Sequence, residues 1–141
     1  MFFGEYLYKV DEKGRIPLPP KFRRELAGDV ILSKGTEKNI IVYPLDEWKR
    51  LSDDLEAKVL TPAKLRRLKR DIFGSAFDAS FDKQGRVTLQ GTLRSYAEIG
   101  DAAVVVGVSN CIEIWDEKLW AEEKLLASEQ ASEIIEGIDT P

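Results

Sequence analysis

One stretch of this sequence occurs twice. At an offset of 71 positions, Asp11-Glu12-Lys13-Gly14-Arg15-Ile16-Pro17-Leu18 falls on Asp82-Lys83-Gln84-Gly85-Arg86-Val87-Thr88-Leu89, and Phe22-Arg23 falls on Leu93-Arg94. After one inserted residue the register continues at an offset of 72, with Gly28 on Gly100, Gly35 on Gly107, Ile40 on Ile112, Tyr43 on Trp115 and Trp48 on Trp120. The lead-in Phe3-Gly4 has a counterpart in Phe73-Gly74. Such a repeat restricts the fold more than composition does, because each copy is one supersecondary unit that cannot bury its apolar face alone.

Each copy reads as ββαββ. In the first, alternation over Tyr6 to Val10 and Arg15 to Leu18 predicts two short strands joined by a tight turn at Glu12 to Gly14. A short helix follows: Pro20 suits its first position, Phe22 and Leu26 lie four apart on one face, and Gly28 is placed to end it in a left-handed conformation. A second hairpin, Val30 to Lys34 and Ile40 to Tyr43, has Gly35 in its connection. The second copy gives strands at Ser75 to Phe81 and Arg86 to Gln90, a helix near Thr92 to Ile99, and strands at Ala102 to Gly107 and Ile112 to Trp115. A unit of about 45 residues is at the edge of what holds its own core, so the two copies are expected to share one. Intertwining them into a small barrel removes the exposed strand edges. The expected class is therefore α+β, a small β-barrel formed by two tandem ββαββ repeats with added helices.

Between the copies, Pro44 precedes a helical stretch from Leu45 to Val59 with Trp48, Leu51 and Leu55 at helical spacing, and Thr61-Pro62 caps a second over Ala63 to Phe73. On that second helix Leu65, Leu68 and Ile72 share one side, while Arg66, Arg67 and Arg70 face away as a solvated basic back. Trp48 and Trp120 read as apolar anchors of the helices they begin. The expected organisation is a first repeat over 5–47, a helical linker over 48–74, a second repeat over 75–118, and a C-terminal helix and tail over 119–141. The last helix is expected from about Glu117 to Ala127, with the final ten or so residues as a mobile tail.

Charge divides along the same line. The 141 residues carry a net charge of −4, which on its own speaks against a polyanion binder. Residues 1–71, however, hold 16 basic and 12 acidic side chains, and the remainder holds 5 and 13. There is no histidine and a single cysteine, Cys111, which removes the commonest general base and the usual transition-metal ligands. Cys111 has no basic neighbour in sequence to make it a thiolate, and Asp82, Glu98 and Asp101 have no spacing that pairs them for acid–base work. The glycines form neither a P-loop nor a dinucleotide fingerprint. No cofactor or metal is expected, and the chain does not read as an enzyme. The longest uncharged apolar run, Ala102 to Val108, is far too short to cross a bilayer, and Met1-Phe2-Phe3-Gly4-Glu5 does not read as a secretory leader, so a cytosolic protein is expected.

The strongest functional signal is Asp-x-x-x-Arg across each turn, Asp11 with Arg15 and Asp82 with Arg86. At a tight turn the carboxylate reaches the guanidinium and fixes its orientation through charge-assisted hydrogen bonds. Two functions are open to such a pair: shaping the turn, or presenting Lys13 and Arg15, with Lys83 and Arg86 as a weaker second copy, to DNA. A two-stranded ribbon fits the major groove and Arg meets guanine O6 and N7 bidentately.

Taken in order, Phe3-Gly4, Asp11-x-Lys13-Gly14-Arg15-Ile16-x-Leu18-Pro19, Phe22-Arg23, Tyr43-Pro44-x-x-x-Trp48, Asp82-x-x-Gly85-Arg86, Leu93-Arg94, Gly107 and Ile112-Glu113-Ile114-Trp115 resemble the MraZ family, bacterial regulators of the division and cell-wall gene cluster. The match runs from Phe2 to about Trp120. It implies an AbrB-like barrel of swapped hairpins, a ring-shaped homo-oligomer, and sequence-specific binding to tandem short boxes in double-stranded promoter DNA. It also implies a cytoplasmic, nucleoid-associated protein with no membrane contact. Arg15 and Arg86 become the principal readers, assisted by Lys13 and Lys83, with Asp11 and Asp82 orienting them on turns shaped by Gly14 and Gly85. One departure is Gln84, which stands in the second turn where the first has Lys13. An oligomeric scaffold whose turns only build the ring is the competing reading, and a relative of the antitoxin-type AbrB regulators a closer one.

Overall fold

A computed structural model describes residues 1–139. In chain order the elements are β1 (Phe2–Lys9), β2 (Arg15–Pro17), α1 (Pro20–Leu26), β3 (Val30–Lys34), β4 (Ile40–Pro44), α2 (Leu45–Glu56), α3 (Pro62–Gly74), β5 (Phe77–Ala79), β6 (Arg86–Thr88), α4 (Gly91–Tyr96), β7 (Ala102–Ser109), β8 (Ile112–Asp116) and α5 (Glu117–Asp139).

The strands form a six-stranded sheet in the order β1-β7-β8-β4-β3-β5 and a two-stranded ribbon, β2-β6, with every pairing antiparallel. Four of these pairings cross between the copies, β4 with β8 among them. β1 runs its whole length along β7, from Phe2 opposite Ser109 to Lys9 opposite Ala102. β5 pairs with β3, and β2 with β6. The fold is thus the α+β barrel of intertwined repeats expected from the sequence, but the first two strands of each copy are not partners. The turn between them forms, and its arms then diverge into different sheets. Local alternation specifies a strand and its buried face, while the partner is chosen by which pairing buries both faces in the shared core.

That core takes the same positions from both copies: Ile16 and Val87, Leu18 and Leu89, Phe22 and Leu93, Ile40 and Ile112, Val42 and Ile114 are all buried in one cluster. Phe22, the largest of its fully buried side chains, meets the rings of Phe2 and Tyr6 edge-on at 5.5 and 5.6 Å. The hairpins β3–β4 and β7–β8 are as expected. α1 begins at Pro20, but its left-handed end falls on Ala27 (φ 47°), one residue before Gly28. Thr61 caps α3, its side chain accepting from Lys64 N–H at 3.2 Å, and Trp48 packs between Tyr43 and Phe73.

The C-terminal tail is corrected. α5 is one helix of 23 residues through Asp139; of the expected tail only residues 140 and 141 lie outside the described residues. Between Ser128 and Glu136 the chain has neither proline nor glycine, and its three Glu, with one Gln and one Ala, favour a helix more than their weak periodicity suggests. The first turns of α5 pack Leu119 and Trp120 against Val104, Val106 and Trp115. Trp120 Nε1 and Lys124 Nζ donate to the Glu5 carboxylate on β1 at 3.0 and 2.5 Å. No helix among the described residues is long and apolar enough to cross a membrane.

Candidate nucleic-acid interface

Both turns are built by one design. Asp11 Oδ1 accepts the backbone N–H groups of Lys13 at 2.9 Å and Arg15 at 2.8 Å, while Asp11 Oδ2 accepts Arg15 Nε at 2.6 Å. The second turn repeats this: Asp82 Oδ1 takes Gln84 N–H and Arg86 N–H, both at 2.9 Å, and Asp82 Oδ2 takes Arg86 Nε at 2.8 Å. Each turn is closed by two backbone bonds, Gly14 N–H to Asp11 carbonyl (3.0 Å) and Asp11 N–H to Arg15 carbonyl (3.1 Å), with Gly85 to Asp82 (3.0 Å) and Asp82 to Arg86 (2.9 Å) as their counterparts. Gly14 and Gly85 hold φ near +75°, a region that costs a side-chain-bearing residue about 1–2 kcal/mol.

The ribbon sets the turns side by side. Arg15 lies opposite Thr88 and Pro17 opposite Arg86, so the two Asp–Arg units flank a centre at Ile16 and Val87. Asp11 Oδ2 then meets a second guanidinium, Arg86 Nη1 at 3.6 Å. With each Nε turned to its own aspartate and Arg86 Nη1 facing Asp11 as well, the η nitrogens of Arg15 and Nη2 of Arg86 remain as donors. Both side chains are about one-quarter exposed, Arg15 at 29% and Arg86 at 26%, while Lys13, Lys83 and Gln84 are fully at the surface.

Electrostatics follow from these bonds. Hydrogen bonds from the backbone N–H of Arg15 and Arg86 hold the Asp11 and Asp82 carboxyls below their ordinary range, with the paired guanidinium acting the same way and desolvation opposing it. Both carboxylates are charged in any physiological buffer, and the two arginines are held in place as cations.

The structure thus brings Asp11, Gly14, Arg15, Asp82, Gly85 and Arg86 into one patch, with Lys13 and Lys83 at its rim. Two neighbours were missed as site residues by sequence reasoning, although their recurrence at the offset of 71 was visible: Arg23 and Arg94. A side chain at Gly85 would collide with the Arg23 guanidinium, and one at Gly14 would lie 2.9 Å from Arg94 Nη1. Each arginine therefore lies on the turn of the other copy.

Elsewhere the molecule offers little chemistry. Burial pushes the Cys111 thiol up to about 11, the nearby Glu113 and Glu47 adding to it, so it stays protonated. Among the described residues no group of His, Cys, Asp and Glu could hold a metal ion. The exposed backs of Arg66, Arg67 and Arg70 on α3 are solvated, as their spacing suggests.

Comparison with known proteins agrees with the duplicated plan. The family model for "MraZ protein", described as antitoxin-like, matches twice, over residues 1–71 and 72–135. The chain is 51% identical to the transcriptional regulator MraZ of Dehalococcoides mccartyi over 99% of both chains, and 41% identical to that of Desulfitobacterium hafniense over 98% of this chain and 96% of the other. It is 43% identical to the regulator of the same name from Herpetosiphon aurantiacus over 85% and 84%. Sequence duplication, crossed pairing and full-length identity together place this chain in the MraZ family of transcriptional regulators.

Proposed function

We propose that the protein binds double-stranded promoter DNA sequence-specifically through the paired turns, with Arg15 and Arg86 as principal readers, Lys13 and Lys83 assisting, and Asp11 and Asp82 orienting. The observation that carries this is the β2–β6 pairing, which sets both Asp–Arg units on one ribbon around the shared Asp11 carboxylate. A two-stranded ribbon enters the major groove, and arginine η nitrogens match guanine O6 and N7. Holding the guanidinium in advance spares the rotamer freedom that a free arginine loses on contact.

A single ribbon makes few phosphate contacts and binds weakly at cellular salt. The protein therefore works as a ring-shaped homo-oligomer on tandem boxes, gaining affinity through effective concentration. The exposed apolar residues of the far half of α5, Ile134, Ile135 and Ile138, support self-association. The setting is the cytoplasm at the nucleoid, and the regulated genes are the division and cell-wall cluster, including the protein's own gene.

The test is titration of duplex DNA from immediately upstream of the protein's own gene, at stated salt, with the oligomeric state checked in parallel. Arg15→Ala is expected to weaken binding by about 1–3 kcal/mol. Undiminished binding with an intact oligomer points to the scaffold role instead. Affinity is expected to rise steeply with the number of boxes; equal affinity for one box and for several would remove the ring from the mechanism.

A further inference from the structure

We propose that Arg23 and Arg94 are positioning residues that act crosswise: Arg23 of the first copy sets the turn carrying Arg86, and Arg94 of the second sets the turn carrying Arg15. The inference rests on the proposed DNA reading by Arg15 and Arg86. Its starting point is a pair of orphaned atoms. Arg23 Nε and Arg94 Nε are both buried and have no hydrogen-bond partner among the described residues. Arg15 and Arg86 present the opposite case, each with Nε bonded to a carboxylate.

A guanidinium stays charged at any accessible pH, so burying its Nε without an acceptor opposes folding. A methionine would fill the same channel with its stem and leave no orphan. The arrangement nevertheless occurs twice, at equivalent positions on α1 and α4. Packing therefore does not account for these heads, and what they touch does. The Arg23 guanidinium occupies the space beside Gly85 that a Cβ would need, its Nε 2.8 Å from that position. Arg94 does the same at Gly14, with Nη1 at 2.9 Å and Cδ at 3.3 Å. Both glycines are buried, and each immediately precedes a reader in sequence.

A second tie runs in the same crossed sense. Leu18 N–H donates to the Gly85 carbonyl at 3.2 Å, and Leu89 N–H donates to the Gly14 carbonyl at 2.8 Å. Each glycine is thus pinned at its carbonyl by one strand end of the other copy and covered at Cα by that copy's arginine. Arg86 and Arg15 each begin one peptide bond later, so a shift of either glycine re-aims the guanidinium that follows it. The head is suited to this role, since it fills the space over each glycine that a side chain would otherwise take.

The experiment uses the full-length chain and two duplexes, the DNA immediately upstream of its own gene and a scrambled sequence of equal length, titrated over a salt series. The variants are Arg23→Met, Arg94→Met, Arg15→Ala and Arg86→Ala, with the four doubles that combine a positioning residue with a reader. Arg23→Met is expected to keep or raise the melting midpoint and to weaken binding to the upstream duplex about tenfold, leaving the scrambled duplex and the salt slope unchanged. Arg23→Met adds nothing to Arg86→Ala but multiplies with Arg15→Ala, and Arg94→Met shows the converse. A salt slope lowered by about one per arginine, with losses that multiply in all four doubles, would make these residues direct phosphate contacts and overturn the proposal. A lower melting midpoint with both duplexes equally affected would reduce them to structural residues. If Arg15→Ala and Arg86→Ala themselves leave binding unchanged, the DNA reading fails first and the positioning role falls with it.

Discussion

Asp11 and Asp82 each accept three hydrogen bonds from their own turn, two from backbone N–H groups and one from an arginine Nε, and their acidity follows. A carboxyl whose folded value is depressed stabilises the fold above its unfolded value, near pH 4, and loses that contribution as pH falls through the folded value. Denaturant midpoints of the wild type and Asp82→Asn are therefore expected to differ at pH 7 and to converge below about pH 4. Glu113 runs the other way. Burial raises its carboxyl, although Trp115 Nε1 donates to it at 2.9 Å, so its ionisation opposes folding at neutral pH and the penalty lifts as pH falls through the raised value toward the unfolded one. Glu113→Gln keeps an acceptor for Trp115 and is expected to raise the midpoint at pH 7, with the gain gone at pH 4. At Gly85, alanine meets both the positive φ and the Arg23 head. Gly85→Ala is expected to lose about 1–2 kcal/mol from the backbone alone and to mimic the Arg23 variant in DNA titrations.

At the level of elements, legibility tracked locality. The Asp-x-x-x-Arg turns, the β3–β4 and β7–β8 hairpins and the Thr61-Pro62 start of α3 were readable because their partners lie within a few residues. The strands flanking the turns were readable as strands, but not in their pairing, because β1 and β7 are about 100 residues apart and alternation does not name a partner. Ala27 took the left-handed end of α1 next to a glycine, a choice of one residue that local propensity does not settle. Arg23 and Arg94 went unassigned because in one dimension they are only helix residues; the crossing that puts them on the turns exists solely in the fold. The far half of α5 escaped because its apolar side chains Ile134, Ile135 and Ile138 remain exposed and join no core of this chain. Deleting residues 128–141 is expected to leave the melting midpoint of the barrel in place and to shift the particle mass downward, measured by light scattering.

For the molecule as a whole, neither copy is complete. Each supplies edges that only the other fills: β1 on β7, β4 on β8, β5 on β3, β2 on β6. Fragments 1–71 and 72–141 are each expected to lack cooperative unfolding alone and to regain it when mixed, as followed by circular dichroism. Folding should be slow for a chain of this size, since most of its pairings close long loops. A single core substitution is felt by both copies: Phe22→Ala is expected to cost about 3–5 kcal/mol and to loosen the second turn as much as the first.

The β2–β6 ribbon has near-twofold symmetry about Ile16 and Val87, but one chain writes both of its halves, and they are spelled differently: Lys13 answers to Gln84, and Glu12 to Lys83. A dimer of identical chains cannot tell which way its site points. Under the proposed DNA reading this ribbon can, so a box that it reads has a head and a tail. Successive boxes meeting successive protomers of the proposed ring would then all face the same way, and inverting one box in a tandem array should abolish that box's contribution while leaving its base composition untouched.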